Sequence, residues 1–332
     1  MPQNSYAYAV GRVRALENRL LNRDRIERMV DAPSAGEALK VLVESGYEME
    51  KEISGPRDYE RLLQFELEKT CRIVESITPD KELTNLLFLE FDMHNLKVLL
   101  KARLLGNDHD ELLSRMGTIR TDVMKKAVSG KDYRELPQFL QDVLERIEAG
   151  LTLVTDPQKI DTMLDRAYYD RVFEVCRERR SSFLQCYFEK RVDLINIRSL
   201  LRVKKIGEGF EVFKKMMLPR GTLDESYFSQ AMEKTLDQLA QAAQYGEYGK
   251  VLAEGIQAFI KHGSLTVYER LMDNYLLGFL KSRRNNPLGI EAVIGYYAAR
   301  ENELKLVRMI LTGKQNGIPG DIIRERLRDL YV

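Results

Sequence analysis

The sequence is poor in the residue types that most often build metal and redox sites. Its 332 residues include no Trp, three Cys and three His. Cys71, Cys176 and Cys186 form no CxxC pair, and no cluster offers four zinc ligands at a usable spacing. We therefore expect no metal centre, and we expect the cysteines to be buried, reduced thiols.

Charge and hydropathy argue against two further classes of protein. Lys and Arg number 52 against 51 Asp and Glu, which gives a net charge of +1. Broad capture of nucleic acid favours a strongly basic face, so we expect no nucleic-acid partner. No apolar run reaches the length of about 18 residues that a membrane span needs, and residues 1–21 lack a signal-peptide core. Any membrane association is expected to be peripheral or through a partner.

Motifs for catalysis are also missing. There is no GxxxxGK[ST] loop and no GxGxxG after a strand, so no phosphate cradle is visible. His94 is the only His within the repeat described below, and Ile195 stands at the matching position. We expect no catalytic residues and no cofactor. An enzyme with an unrecognised helical site remains a rival hypothesis.

The sequence does contain an internal repeat, one segment that occurs three times. Residues 92–106 read DMHNLKVLLKARLLG, residues 193–207 read DLINIRSLLRVKKIG, and residues 300–313 carry a more divergent copy, RENELKLVRMILTG. A second block precedes each copy at a nearly constant distance. The paired positions are Glu60 and Asp92, Asp161 and Asp193, and Glu269 and Arg300, separated by 32, 32 and 31 residues. Repeats of this kind are typical of scaffolds.

The repeat divides the chain into three units of roughly 100 residues, each large enough for a small core. We expect the units at 1–106, 107–207 and 208–332, packed together because no low-complexity linker separates them. The first two copies are each followed by a stretch that opens with related residues, GTI at 117–119 and GTL at 221–223.

Helical spacing of apolar residues and weak strand signals predict an all-α fold. Ser34 and Glu37 form a capping box at a helix start. Further N-caps are expected where a capping residue precedes Pro, at Thr78, Asp156 and Asn286. Helix ends are expected at Gly46, Gly106 and Gly207.

Polar residues interrupt the apolar stripe of the repeated helix. They are Asp92 and Asn95 in the first copy, Asp193 and Asn196 in the second, and Arg300 and Glu303 in the third. One interpretation is a polar contact to a partner. The other is a structural role, because a polar residue on a core-facing stripe needs a hydrogen-bond partner inside the protein. We favour the structural role.

Basic residues also recur in the repeated segment. They are Lys97, Lys101 and Arg103, then Arg198, Arg202 and Lys204, with Lys305 as the clear match in the third copy. These residues are candidates for a basic surface that binds an acidic partner. The alternative is a solvated helix face, since basic residues also suit helix C-termini.

Three segments carry a family resemblance. YAYAVGRVRALENRLL at 6–21, FDMHNLKVLLKARLLG at 91–106 and ELKLVRMILTGKQNGI at 303–318 resemble the C subunit of archaeal and bacterial A/V-type rotary ATPases, the family of the d subunit of the eukaryotic vacuolar ATPase. The three segments occur in order and span essentially the whole chain.

The resemblance implies an all-helical funnel of three similar units related by pseudo-threefold symmetry. It implies a monomer at the cytoplasmic face of the membrane, seated on the membrane rotor ring and receiving the central-stalk subunits in its cavity. The chain would pass torque without an active site of its own. The alternative is a generic helical-repeat scaffold for another protein, although such scaffolds usually have repeats of about 34–47 residues and the period here is about 100.

Overall fold

The computed structural model of the chain describes residues 5–48, 56–151, 157–243 and 245–332. Within these ranges the chain forms sixteen α-helices, one turn of 3-10 helix at Asp110–Leu112 and no strand. The all-helical prediction is therefore confirmed. Its finer part, the pseudo-threefold funnel, stays a prediction.

Runs of shorter helices alternate with pairs of long helices. The first eight are α1 (Ala7–Glu17), α2 (Arg23–Asp31), α3 (Ala35–Glu44), α4 (Pro56–Ile77), α5 (Lys81–Leu105), α6 (Thr121–Gly130), α7 (Gln138–Leu151) and α8 (Pro157–Glu178). The last eight are α9 (Ser182–Lys205), α10 (Phe210–Met216), α11 (Glu225–Glu233), α12 (Leu236–Ala243), α13 (Gly249–His262), α14 (Thr266–Arg283), α15 (Glu291–Gln315) and α16 (Gly320–Arg326). The three copies of the repeated segment lie on three of the longest helices, α5, α9 and α15.

The chain forms two compact units. One is continuous, Asp80–Glu233, and the other joins Met1–Pro79 to Lys234–Val332. The division into 1–106, 107–207 and 208–332 that the repeat suggests stays a prediction.

The continuous unit is built around α5, α8 and α9. Helix α8 packs against both α5 and α9, while α6 packs on α5, α7 on α8, and α10 and α11 on α9. Leu96 and Leu100 on α5 and Phe188 on α9 are fully buried. Tyr168 of α8 meets Phe188 edge to face, with 6.5 Å between ring centroids. The apolar stripe of the repeated segment is thus the core face of its helix.

The discontinuous unit is built around α15. Helices α4 and α14 pack along it, and α1, α2 and α3 pack on it as well. One apolar cluster combines Met29 of α2, Leu42 of α3, Leu63 of α4 and Ile310 of α15. The first helices of the sequence therefore complete the core around the last long helix.

Local sequence signals explain several of the helix ends. The Ser34 hydroxyl accepts a hydrogen bond from the Glu37 backbone N–H at 3.3 Å, as the capping box predicts. Gly46, Gly106 and Gly207 follow helices with φ of 91°, 68° and 75°, the left-handed region in which a side chain is unfavourable. These predictions are confirmed.

Two predicted N-caps are wrong. Helix α5 is capped by Asp80, whose carboxylate accepts from two first-turn backbone N–H groups at 3.1 and 3.3 Å, while the Thr78 hydroxyl donates back to a carbonyl of α4. Asn286 does not cap α15, because its side chain is used within the preceding turn, accepting from Leu288 N–H and donating to Glu291. The predicted cap at Asp156 lies outside the described residues.

The central position of α15 can be tested by removing side-chain volume. Ile310 is fully buried and Ile260 is 40% exposed, and both belong to the discontinuous unit. Ile310→Ala should lower the free energy of unfolding by roughly 2–5 kcal/mol, because it leaves a cavity in a packed core. Ile260→Ala should change it by less than about 1 kcal/mol. Urea unfolding followed by circular dichroism measures both, and equal effects would contradict the assigned core.

Thiol reactivity offers a second test. Cys71 and Cys176 are buried, and burial raises the pKa of each thiol to about 12. The thiolate is the reactive form, so Cys71 and Cys176 should not react with a thiol reagent at about pH 8 in the folded protein. Cys186 is only partly buried and should react. Titration should therefore count one thiol in the native protein and three after unfolding. More than one fast thiol in the native state would refute this assignment.

Candidate functional site

The polar residues of the repeat lie inside the protein. In the first copy Asp92 is fully buried on α5. Its carboxylate accepts hydrogen bonds from the Thr118 hydroxyl at 2.6 Å and from the backbone N–H groups of Thr118 and Ile119 at 2.9 and 3.1 Å. Three donors from one short loop thus replace the water that a carboxylate would otherwise require.

Asn95 binds the same loop one helical turn later. Its side-chain amide accepts from the Ser114 backbone N–H and donates to the Ser114 carbonyl, both at 2.8 Å. We call this arrangement, in which Asp92 and Asn95 hold residues 114–119, the first clasp. It fixes the loop that leads into α6 against the middle of α5.

The second copy repeats this geometry. The Asn196 amide exchanges two hydrogen bonds with the Leu218 backbone, at 2.8 and 3.0 Å. The buried Asp193 carboxylate accepts from the Thr222 hydroxyl and from the Leu223 N–H, the latter at 3.0 Å. Asp193 and Asn196 with residues 218–223 form the second clasp. The related GTI and GTL motifs are therefore the loops that the two helices hold.

A glycine is required in each clasp because the carboxylate lies against the backbone. A Cβ atom placed on Gly117 would stand 2.1 Å from Asp92 Oδ1, and one on Gly221 would stand 2.1 Å from Asp193 Oδ1. At such a distance either the loop or the carboxylate must shift, and each carboxylate is held in place by its hydrogen bonds to the loop. The Gly, Thr and Asp residues therefore work as one structural element in both copies.

The third copy replaces the clasp with an ionic network. Arg300 of α15 is 7% exposed and Glu303 is 2% exposed. Arg300 forms ion pairs with Glu303 and, at 2.8 Å, with Glu66 of α4. Glu303 also accepts from the Tyr47 hydroxyl at 2.6 Å. Sequence reasoning missed Glu66 and Tyr47, although Glu66 follows Leu62 and Leu63 on the buried stripe of α4, and that placement was a usable signal.

The loop held by the third copy comes from the other end of the chain. Glu303 accepts a hydrogen bond from the backbone N–H of Leu21. Asn95 and Asn196 accept in the same way from Ser114 and Leu218. The residue equivalent to Asn95 thus always binds a backbone N–H of a loop before a short helix, and for α15 that helix is α2.

Burial controls the protonation behaviour of these groups. It raises the pKa of the Asp92 carboxyl, against the lowering effect of hydrogen bonds from Thr118 and Ile119. Burial likewise raises the pKa of Glu303, and Arg300 acts in the opposite direction. The pKa of Tyr47 lies well above its ordinary value through burial and the neighbouring Glu303, so its hydroxyl is a neutral donor at physiological pH.

The basic residues of the first copy form ion pairs inside the continuous unit. Lys97 binds Asp165 at 2.5 Å and Lys101 binds Asp161 at 2.7 Å, which ties α5 to α8. Arg103 pairs with Glu148 of α7 and donates to a backbone carbonyl of α6 at 2.7 Å. Replacing these residues would therefore disturb internal contacts as well as any external one.

The remaining basic candidates lie in varied surroundings. Lys204 donates to the carbonyls of Ala231 and Met232 at the end of α11, at 3.3 and 2.6 Å. Arg198 is half-buried and Arg202 is exposed. Lys305 is 45% exposed and lies 3.6 Å from Glu301, a looser ion pair than those of Lys97 and Lys101. Partner binding by the seven basic residues stays a prediction.

Metal ligation and membrane insertion find no support in the residues that the structure describes. They contain no group of three or more His, Cys, Asp or Glu side chains placed to hold a metal ion. In the same part of the chain, no helix has both the length and the apolar character needed to cross a bilayer.

Buried clasps on repeated helices define an all-α repeat protein in which the buried polar residues of the repeat bind partners inside the protein. The comparison with known families is more specific. The sequence profile of the family described as ATP synthase (C/AC39) subunit matches residues 9–326. The chain belongs to this family, whose members are non-catalytic subunits of ATPase complexes.

Curated relatives are similar to the chain over nearly its whole length. The C subunit of the A-type ATP synthase of Thermococcus gammatolerans is 26% identical, with 96% of this chain and 89% of the relative covered. The C subunit of the V-type sodium ATPase of Enterococcus hirae is 25% identical, with 96% and 97% covered. The C subunit of the A-type ATP synthase of Methanothermobacter thermautotrophicus is 24% identical, with 97% and 87% covered.

The clasps predict a strong effect of adding one methyl group. Gly117→Ala should push the loop away from Asp92 and lower the free energy of unfolding by roughly 2–4 kcal/mol, through steric strain and lost hydrogen bonds to a buried carboxylate. Gly221→Ala should behave alike in the second clasp. Gly130→Ala is the control, because nothing lies within 4 Å of its added Cβ. Urea titration of the three variants measures their free energies of unfolding. A Gly117→Ala protein as stable as the Gly130→Ala control would contradict the clasp.

Proposed function

We propose that this chain is the rotor adaptor of an A/V-type ATPase, a socket that joins the central stalk to the membrane rotor ring. In this role it passes torque between the ATP-handling head and the ion-carrying ring, during ATP synthesis or ATP hydrolysis. It works as a monomer within the complex, on the cytoplasmic face of the membrane, and reaches the bilayer only through the ring. Three helical units arranged as a funnel would form the socket.

The observation that carries the proposal is the match to the ATP synthase (C/AC39) subunit family over residues 9–326. Relatives named as C subunits of A-type and V-type ATPases are covered for 86 to 97% of their length, so the similarity concerns whole subunits. Their names do not state which neighbours these subunits touch, and the stalk and ring contacts are our proposal.

The internal construction supports a mechanical role. Torque passes efficiently only through a body that does not deform, and a close-packed interior resists deformation. The clasps add hydrogen bonds from buried side chains to loop backbone at Asp92, Asn95, Asp193 and Asn196. Such bonds hold connecting loops that would otherwise be the softest parts of a helical protein.

Binding to the two neighbours tests the proposal. The purified chain should bind both the central-stalk subunits and the detergent-extracted rotor ring of the same complex, and should hydrolyse no ATP alone. Size-exclusion chromatography of the mixtures and a phosphate-release assay measure this. Turnover by the isolated chain would overturn the proposal. Binding to neither neighbour would favour the second candidate, a helical-repeat scaffold for another protein, although the repeat period of roughly 100 residues is longer than is usual for such scaffolds.

A charge reversal at Lys305 refines this test, because its side chain is exposed and only loosely paired. If the basic residues of the repeat contact an acidic partner, Lys305→Glu should weaken binding at low salt and leave the fold intact. Lys250→Glu, at an exposed position on α13, is the control. An unchanged affinity and an unchanged salt dependence would reject a role for Lys305 in partner binding.

A further inference from the structure

A basic cavity in the discontinuous unit has no role in the contacts described above. It has a volume of about 1110 Å³ and opens among α1, the segment joining α1 to α2, and the turn joining α14 to α15. Four basic side chains line it: Arg14, Arg25, Lys281 and Arg284. None of them belongs to the repeated basic residues, so the cavity is a separate feature of the molecule.

Within the described part of the chain, three of these four side chains are not paired with acids. Arg25 and Lys281 have no side-chain hydrogen bond or ion pair there, and Arg284 lies over the Tyr331 ring, 5.9 Å from its centroid. Ordinary surface cations on a helical protein are often paired along or between helices, as many are in this chain. Several unpaired cations around one concave space repel one another, so an anion there would stabilise them.

The floor of the cavity is held in place by buried groups. Glu17 is 9% exposed, and its Oε2 binds Arg14 Nη1 at 2.7 Å. The other guanidinium nitrogen of Arg14 donates to the Arg284 backbone carbonyl. Tyr331, only 2% exposed, lies beneath the Arg284 guanidinium. Two of the four cations are thus oriented before any ligand arrives, which reduces the entropy lost on binding.

The balance of charge in the cavity is positive. Glu17 is the only acidic side chain in the lining, and it is already engaged by Arg14. The cavity therefore suits a ligand that carries more than one negative charge.

The spread of the basic groups around the cavity favours a protein segment over a small anion. Pockets for small molecules have volumes of about 300–1,000 Å³ and are lined mostly by apolar side chains. This cavity lies near the upper end of that range, and its basic groups come from separate elements, with Arg25 on α2 and Lys281 on α14. Carboxylates spaced along a peptide match that arrangement better than a single compact phosphate does.

We propose that this cavity receives an acidic segment of a central-stalk subunit, whose carboxylates pair with Arg25, Lys281 and Arg284. The choice of the stalk as the source of that segment rests on the proposed function. The binding of carboxylates by the cavity rests only on the geometry and charge of the unit itself.

Charge reversal at the half-buried Arg25 and the exposed Lys281 tests the proposal. In the full chain, Arg25→Glu combined with Lys281→Glu should raise the Kd for the purified central-stalk subunits about tenfold or more at low salt. The difference should shrink at high salt, where charges are screened. Biolayer interferometry at several salt concentrations measures it, and circular dichroism checks that the variant is folded. Affinity equal to that of the unaltered chain at low salt would overturn the proposal.

A matched control exists on α13. Lys250 lies in its first turn and Lys261 in its last, and both are exposed. Arg25 lies in the first turn of α2 and Lys281 in the last turn of α14, so the two double variants place new carboxylates in equivalent positions of the helix dipoles. Lys250→Glu with Lys261→Glu should bind the stalk like the unaltered chain. An equal loss in both double variants would mean a general charge effect and would sink the proposal.

A second probe separates this inference from the proposed function. An oligoglutamate peptide of about ten residues should bind the unaltered chain and not the Arg25→Glu, Lys281→Glu variant. If the chain binds that peptide but no protein of the stalk, the cavity takes acidic peptide and the proposed function fails. If the chain binds the stalk but the peptide and the double variant show no effect, the proposed function stands and this inference fails. Loss of ring binding instead of stalk binding would also refute it.

Discussion

A buried carboxylate must find hydrogen-bond donors, and this requirement organises the repeated part of the fold. Asp92 and Asp193 lie where a helix packs into the core, and water cannot reach them. Leaving such a group without donors costs several kcal/mol, so the loop that supplies the donors is held in one conformation. The glycine that lets the loop approach and the threonine that donates its hydroxyl follow from the same requirement. Helix packing and loop position are therefore coupled in each clasp.

The third copy satisfies the same requirement with different chemistry. Arg300, Glu303, Glu66 and Tyr47 replace a single carboxylate and its loop donors. A buried ion pair gains little over an apolar replacement, because both charges lose their water. A displaced partner would leave an uncompensated buried charge, so the network disfavours other arrangements of these elements. This network joins α15 to α4 and to the segment just after α3, so it fixes elements that are far apart in sequence.

Much of this arrangement could be predicted from the sequence, because the repeat period and the helical spacing of buried apolar residues are visible in it. The repeat, the all-helical fold and the glycine ends of helices are local or periodic features. The donors to Asp92 were harder to find, because a hydrogen bond to a loop 26 residues away leaves no spacing rule. The GTI and GTL motifs were visible, but only the fold shows that they are the loops that the clasps hold.

The caps at Thr78 and Asn286 were wrong because each side chain has a nearer competing partner. The basic residues show the same limit: sequence reports that Lys97 and Lys101 are charged and recur, while only the fold reveals that aspartates of α8 face them.

The division of the chain into one continuous and one discontinuous unit has a consequence for its synthesis. Helices α5 to α11 pack on one another within residues 80–233, and both clasps close there. This unit can fold while the ribosome still makes the rest of the chain. Helices α1 to α4 cannot complete their core until α15 has left the ribosome. Their apolar faces therefore stay exposed to solvent through most of translation. During synthesis, aggregation is therefore expected to begin at the exposed apolar faces of α1 to α4. A chaperone would protect the new chain most by binding these helices.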